Sequence, residues 1–187
     1  MILQFKIQIE DITKPPVWRK VLVPETFTFH RFHNVIQAAF GWTNSHFYHF
    51  SDRGYGSGEI IGIPSDDDWM PVTDSNTKKL KDVFSKEGKR YTYIYDLGDD
   101  WVHKIILEKI IKEKGTKATC IDGKGACPPE NCGGVWGYEE MKEVLVNKPD
   151  SEQAEELRDW LGLGEDETLD TNTFDLQLAN TLVEQVK

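Results

Sequence analysis

The chain begins with two runs that alternate between apolar and polar residues, which is the pattern of half-buried β-strands. In the first run the apolar side chains fall at every second position: Leu3, Phe5, Ile7 and Ile9. In the second run one face carries Val17, Arg19, Val21 and Val23. Because a short turn with two prolines separates the runs, the sequence predicts an antiparallel pair of strands.

The spacing changes to three and four in the segment that follows, which predicts an amphipathic helix over residues 29–40. Thr28 can cap its start, and Gly41 can end it. Alternation returns in residues 46–52, where His46, Tyr48 and Phe50 share one face. This segment therefore predicts a third strand.

Two further alternating segments, residues 90–97 and 101–111, flank the turn signal Gly98-Asp99. A strand, a short glycine-containing turn and a second strand predict a β-hairpin. One face of its first strand is a row of three tyrosines: Tyr91, Tyr93 and Tyr95. Such a row can stack single-stranded bases, but we interpret it as a core face because tyrosine favours strands.

Two segments, residues 53–77 and 115–137, predict long loops, the first with a short strand near residues 59–63. Helical spacing then follows in three stretches: residues 138–145, 151–161 and 174–186. The order of elements predicts an α+β fold in one domain over residues 1–187. Its antiparallel, roll-like sheet would pack against one N-terminal helix and carry a helical C-terminal segment.

The charge is unevenly distributed, and this limits the class of partner. The chain has 187 residues and a net charge of −10, and residues 116–187 account for all of it. We therefore expect that the acidic C-terminal third does not contact nucleic acid. Because no apolar run reaches the ~20 residues of a membrane helix and the cysteine count is odd, we also expect a cytoplasmic protein without membrane contact.

Four stretches carry a resemblance to a known family. They are VWRKV at residues 17–21, VIQAAFGW at 35–42 with His46 after it, YIYDLGDDWVH at 93–103 and ACPPENCGG at 126–134. Together they resemble the plasmid pRiA4b ORF-3-like family, whose members occur on plasmids, beside transposase genes and on prokaryotic chromosomes. The resemblance implies a compact α+β roll, and the association with mobile elements motivates an accessory binding role.

The hairpin carries the strongest candidate chemistry. If Asp96 lies opposite Trp101, then Asp96, Trp101 and His103 share one face of the sheet. A carboxylate beside an imidazole can orient a general base or hold a metal ion, and His46 is a candidate third member. The structural alternative, which we favour, is that Asp96 caps the turn and His103 is a buried core histidine.

The cysteines offer a second set of candidate ligands. Cys120, Cys127 and Cys132 lack the close pairing typical of zinc sites, although three thiolates and a histidine such as His46 or His103 would complete a tetrahedron. We favour the interpretation that they are small buried side chains. The expectation is therefore no cofactor, with zinc or another divalent metal as the alternative.

These observations favour a non-enzymatic binding or accessory module with a protein or nucleic-acid partner. The alternative is a metal-assisted hydrolase that uses His46, Asp96 and His103. Any contact with DNA would have to come from exposed cations in the neutral first part of the chain: Lys6, Arg19, Lys20, Arg31 and Arg53.

Overall fold

One sheet of eight strands organises the computed structural model, which describes residues 1–55, 58–66, 68, 70–165 and 167–187. The strands are β1 (Ile2–Thr13), β2 (Pro16–Pro24), β3 (Tyr48–Ser51), β4 (Ile60–Gly62), β5 (Val72–Asp74), β6 (Arg90–Tyr95), β7 (Trp101–Ile111) and β8 (Thr119–Lys124). Their spatial order is β5-β4-β3-β6-β7-β1-β2-β8. All neighbours are antiparallel except β4 and β5, which confirms the predicted antiparallel sheet.

Four helices complete the α+β fold among the described residues: α1 (Phe29–Phe40), α2 (Gly134–Asn147), α3 (Glu152–Leu161) and α4 (Leu176–Glu184). The ends of α1 are as predicted. The Thr28 side chain accepts a hydrogen bond from the Arg31 N–H, and Gly41 adopts the left-handed conformation that closes the helix.

The core lies between α1 and one face of the sheet, where aromatic side chains predominate. Phe32 of α1 packs against Phe5 of β1 and Phe50 of β3, with ring centroids 4.7 and 5.8 Å apart. The tyrosine row of β6 lies on the same face and is buried, with Tyr93 fully inaccessible. This confirms that the row belongs to the core.

The structure corrects several sequence predictions. Residues 115–137 are not a continuous loop, because β8 forms there as the edge partner of β2. β5 also lies within the predicted first loop. Both strands are short and lack clear alternation, so pairing with a neighbour defines them better than local pattern does. Arg19 is not an exposed cation, because its side chain lies on the core face of β2 and is only 2% exposed.

Two stretches interpreted as loops fall partly outside the described residues. They are the glycine-rich segment at residues 54–58, which includes Gly56 and Ser57, and the acidic run at residues 66–68, which includes Asp67. Among the helices that the structure describes, none combines the length and the apolar character that crossing a membrane requires.

The core argument predicts very different effects for two nearby phenylalanines. Phe50 is fully buried against the rings of Phe29 and Tyr93, so we expect Phe50→Ala to lower the free energy of unfolding by about 3–5 kcal/mol. Phe47 is 73% exposed, so Phe47→Ala should change it by less than about 0.5 kcal/mol. Urea denaturation measures both. Equal losses in the two variants would contradict the assignment of the core.

Candidate functional site

Three connecting segments meet at one end of the sheet. They are residues 41–47 after α1, residues 96–100 between β6 and β7, and residues 126–133 before α2. The Phe47 carbonyl accepts the Asp96 N–H at 2.9 Å, and the Asp99 carboxylate accepts the Gly133 N–H at 3.1 Å. These two hydrogen bonds join the three segments into one surface.

Glu130 is the polar centre of this junction. Its carboxylate accepts a hydrogen bond from the Tyr95 hydroxyl at 2.5 Å and bonds from the backbone N–H and the hydroxyl of Thr43. The Tyr95 oxygen also accepts the Ser45 N–H at 2.9 Å. Burial, followed by the contact with Glu130, raises the pKa of Tyr95, so the phenol remains a neutral donor that holds the Glu130 carboxylate.

His46 and Asp96 are adjacent, as the site hypothesis requires. His46 Nε2 lies 3.4 Å from Asp96 Oδ2, although without the alignment of a hydrogen bond. The other oxygen of Asp96 accepts the N–H groups of Gly98 and Asp99 at 3.0 and 3.3 Å. Asp96 therefore caps the turn, as the structural alternative proposes, and also faces a histidine.

His103 does not join this pair. In the sheet Trp101 pairs with Tyr95 and His103 pairs with Tyr93, so the expected register with Asp96 opposite Trp101 is wrong. The reason is that the extended strand ends at Tyr95. Asp96 has a left-handed backbone with φ of 58° and belongs to the turn. Asp96 therefore lies beyond the last strand pair, and its carboxylate turns back to cap its own turn.

The environment of His103 is that of a core residue. The side chain is fully inaccessible, and the rings of Phe40 and Trp42 meet it edge-on at 5.1 and 5.3 Å. Nδ1–H donates to the Trp101 carbonyl at 2.8 Å. Nε2 lies near the Tyr93 backbone but forms no hydrogen bond of normal geometry with the described residues.

A second buried histidine, which we did not predict from the sequence, stabilises the loop after α1. His33 Nε2 donates to the Asn44 side-chain oxygen at 2.5 Å, and Nδ1 accepts from the Tyr93 hydroxyl at 2.8 Å. Gln37 donates to the same hydroxyl and accepts the Asn44 N–H. His33 and Gln37 are four residues apart on the apolar face of the predicted helix. Two polar residues on that face are the pattern from which a buried hydrogen-bond network could have been predicted.

The cysteines do not form a ligand set with the histidines. No disulfide joins any two of them. Burial raises the pKa of Cys120, Cys127 and Cys132, so these side chains stay as neutral thiols. Within the part of the chain that the structure describes, no group of three or more histidine, cysteine, aspartate or glutamate side chains is arranged to hold a metal ion.

Large apolar side chains project from the junction into solvent. Phe47 is 73% exposed, Leu97 is 41% exposed and Trp136, in the first turn of α2, is 89% exposed. The turn and the first turns of α2 also carry carboxylates. We call this surface the acidic aromatic face, and we define it by Phe47, Leu97, Trp136, Asp99, Asp100, Glu139 and Glu140.

Negative charge predominates around this face, and one lysine borders it: Lys142 Nζ lies 2.7 Å from Glu139 Oε1. Residues 41–51, 95–102 and 126–141 together include six carboxylates and no lysine or arginine. The carboxylates are Asp96, Asp99, Asp100, Glu130, Glu139 and Glu140. An apolar surface bounded mainly by negative charges favours a ligand that is both apolar and cationic.

A pocket of about 240 Å³ opens beside the turn, next to this face. Its apolar walls include Ile60, Met70, Ile94 and Leu97. Tyr55 also lines the pocket, and its hydroxyl donates to Asp100. The pocket therefore places an apolar recess next to a carboxylate of the face.

Because His33 and His103 are buried, we expect the free energy of unfolding to fall in acid. Burial lowers the pKa of both His33 and His103 to about 3, whereas an unfolded histidine titrates near 6.5. The unfolded chain therefore binds protons that the folded protein does not. The stabilisation is complete above about pH 6.5 and falls as the pH approaches 3, by up to about 1.4 kcal/mol per pH unit for each histidine.

Urea denaturation between about pH 7 and pH 4.5 measures this slope. His103→Gln should remove about one histidine's share of the slope, and Phe47→Ala, which alters a side chain that is 73% exposed and does not titrate, serves as the control that retains it. If His103→Gln leaves the slope unchanged, His103 is not a buried neutral histidine.

Comparisons with known proteins place this architecture among relatives. Residues 1–178 match the family model for plasmid pRiA4b ORF-3-like protein. The uncharacterized protein y4hQ of Sinorhizobium fredii is 35% identical over 181 residues, which span 95% of this chain and 90% of the relative. A crystal structure of MM3350 from Methanosarcina mazei Go1, described as a protein of unknown function, is 37% identical, has a TM-score of 0.79 and covers 95% of both chains. The chain therefore belongs to the plasmid pRiA4b ORF-3-like family.

Proposed function

We propose that this protein is a non-enzymatic binding module whose acidic aromatic face recognises a segment of a partner protein. The segment would carry apolar side chains flanked by lysine or arginine. The observation that carries the proposal is the 89% exposure of Trp136 in the first turn of α2, three and four residues before the exposed Glu139 and Glu140. A tryptophan side chain that is exposed to water is stabilised when a partner buries its large apolar surface. Tryptophan is also enriched among the residues that dominate binding interfaces.

The position of Trp136 supports its role as an anchor. On α2, residues three and four positions later lie on the same side of the helix, and these are Glu139 and Glu140. The tryptophan is therefore followed by two exposed carboxylates. Glu140 can pair with a cation of a bound segment, whereas Glu139 would exchange its ion pair with Lys142, at 2.7 Å, for one with the segment. Exposed pairs of this kind contribute little affinity individually, but they select the sign of the partner's charge.

A protein partner has more support than a nucleic acid. The six carboxylates around the face would repel phosphates. The cations proposed for DNA contact do not form a free basic strip, because Arg19 is buried, Lys20 is paired with Glu108 at 3.2 Å and the Arg31 guanidinium packs on the Phe27 ring.

The metal-assisted hydrolase has less support. Only His46 and Asp96 of its three residues lie together at the junction, and His103 is enclosed behind the Trp42 ring. The binding proposal also includes a cytoplasmic location, since all three thiols are free. An accessory role beside mobile elements is consistent with the plasmid in the family's name.

The first test uses a fluorescein-labelled decapeptide of alternating lysine and leucine as the probe. We expect fluorescence anisotropy to show saturable binding, and Trp136→Ala to raise the Kd roughly thirtyfold, the loss of about 2 kcal/mol typical of an interface anchor. Trp160→Ala is the matched control, because Trp160 is also exposed and lies on the acidic helix α3. It should leave the Kd within about twofold.

Three results would count against this assignment. They are equal weakening by Trp136→Ala and Trp160→Ala, equal binding of a peptide with serine in place of leucine, and binding of duplex DNA in preference to the peptide at ~50 mM salt, where phosphate contacts are favoured. The last result would restore a nucleic-acid partner.

The second test concerns charge. Replacing Glu139 and Glu140 by glutamine should weaken binding of the same peptide about threefold to tenfold at low salt, because the two carboxylates are lost and Lys142, which pairs with Glu139, is left as an uncompensated cation. The double replacement of Glu155 and Glu156 on α3 removes the same charge from another helix and should have little effect. A peptide with glutamate in place of lysine should not bind. If both double variants weaken binding equally, net charge and not this face is responsible.

A further inference from the structure

The strongest feature outside the acidic aromatic face is the buried cation Arg19. Its guanidinium lies between two phenyl rings, with the Cζ atom 4.9 Å from the Phe40 centroid and 4.0 Å from the Phe174 centroid. Gly123 of β8 makes this arrangement feasible, because a side chain at that position would collide with the Phe174 ring. The fold therefore holds the guanidinium plane between two apolar surfaces.

Part of the guanidinium lacks a protein acceptor. An arginine has five N–H donors. Nε donates to the Ala39 carbonyl at 2.9 Å, and Nη1 donates to the carbonyls of Trp18 and Lys124, both at 2.9 Å. The Nη2 group has no hydrogen-bond acceptor among the described residues.

No carboxylate among the described residues neutralises the charge of the Arg19 guanidinium. Within the described part of the chain, no carboxylate oxygen lies within 4.0 Å of Arg19. The nearby Cys120 and Cys127 thiols do not supply an anion, because burial raises their pKa and keeps them neutral. Desolvation in turn lowers the pKa of Arg19. A guanidinium that is only 2% exposed and has no anionic partner would be stabilised by an anionic ligand.

A pocket of about 150 Å³ leads to this cation. Arg19, Phe40, Cys127 and Phe174 line it, together with Leu178 and Leu182 of α4. The two leucines are 57% and 38% exposed, so the mouth of the pocket is apolar and open to water. In another protein an apolar cavity of about this size holds one benzene molecule.

We propose that this pocket binds a small monocarboxylate with an apolar body, with its carboxylate on the Nη2 group of Arg19 and its body between Phe174 and Leu178. The site shares no side chain with the acidic aromatic face and is independent of the proposed function. Asp175 lies at the rim, where its carboxylate caps α4 by accepting the Leu178 N–H at 2.9 Å. A second carboxylate on the ligand would approach this rim charge, which favours ligands with one carboxylate.

The test is an NMR titration of the full chain with benzoate, followed through backbone amide shifts. We expect saturable shifts at the pocket residues Ala38, Gly41, Cys127 and Ala179. Benzyl alcohol has the same ring without the charge, and its Kd should be at least about tenfold higher, because the hydrogen bonds to the guanidinium are then not charge-assisted. Equal affinity for the two ligands would overturn the role of Arg19.

Matched variants on α4 locate the site. Leu178→Glu places a negative charge at the mouth of the pocket and should weaken benzoate binding at least about tenfold. Leu176→Glu alters a leucine that is 41% exposed on the same helix but does not line the pocket, and it should leave the Kd within about twofold.

Arg19→Met should remove the preference for benzoate over benzyl alcohol. If that variant does not fold, the two leucine variants still decide the proposal. The proposal fails if benzoate gives no saturable shifts up to about 20 mM, far above the concentration that a useful carboxylate site requires, or if Leu176→Glu and Leu178→Glu weaken binding equally.

Discussion

The packing of α1 against the sheet is the constraint on which the rest of the structure depends. Phe29 and Phe32 fill the aromatic core, and the same helix face carries His33 and Gln37 into it. These polar groups are tolerated because they bond to the Tyr93 hydroxyl and to Asn44. One helix face thus supplies apolar burial and also fixes the loop after α1. Because that loop leads directly to His46 and Phe47, the position of the junction follows from the position of the helix.

The fold could be predicted where the pattern is long and repeated. β1, β2, α1 and the hairpin of β6 and β7 each repeat their spacing over many residues, and turn or cap residues bound them. β8 could not be predicted, because its six residues include Asp122 and Gly123 and show no regular alternation. Its stability comes from pairing with β2 and from contacts with α4, including the Asn180 side chain that accepts the Cys120 N–H. Such tertiary partners leave little local signal.

The candidate site was only partly accessible to sequence reasoning. Alternation along a strand predicts which face a side chain takes, but it holds only while the backbone remains extended. At Asp96 the backbone becomes left-handed. Alternation therefore holds up to Tyr95 and does not predict the direction of the Asp96 side chain. The loop after α1 places His46 beside Asp96. The spacing of these two residues in the sequence does not predict that contact. Arg19 shows the opposite case: its position on the valine face of β2 was correctly derived, but its charge led us to expect exposure.

The geometry of the junction implies that the acidic aromatic face is formed before any partner binds. Gly134 adopts a φ of 67°, and a side chain there would collide with the Asp99 carbonyl. Glycine at this position therefore lets the start of α2 touch the turn, and the bond from Gly133 to Asp99 holds the two together. Trp136 is two residues further along the same helix. The start of α2 is thus fixed against the turn, and a partner need not order this part of the surface. Because ordering of loops and side chains is a major cost of association, a face built in this way can bind a short segment with few contacts.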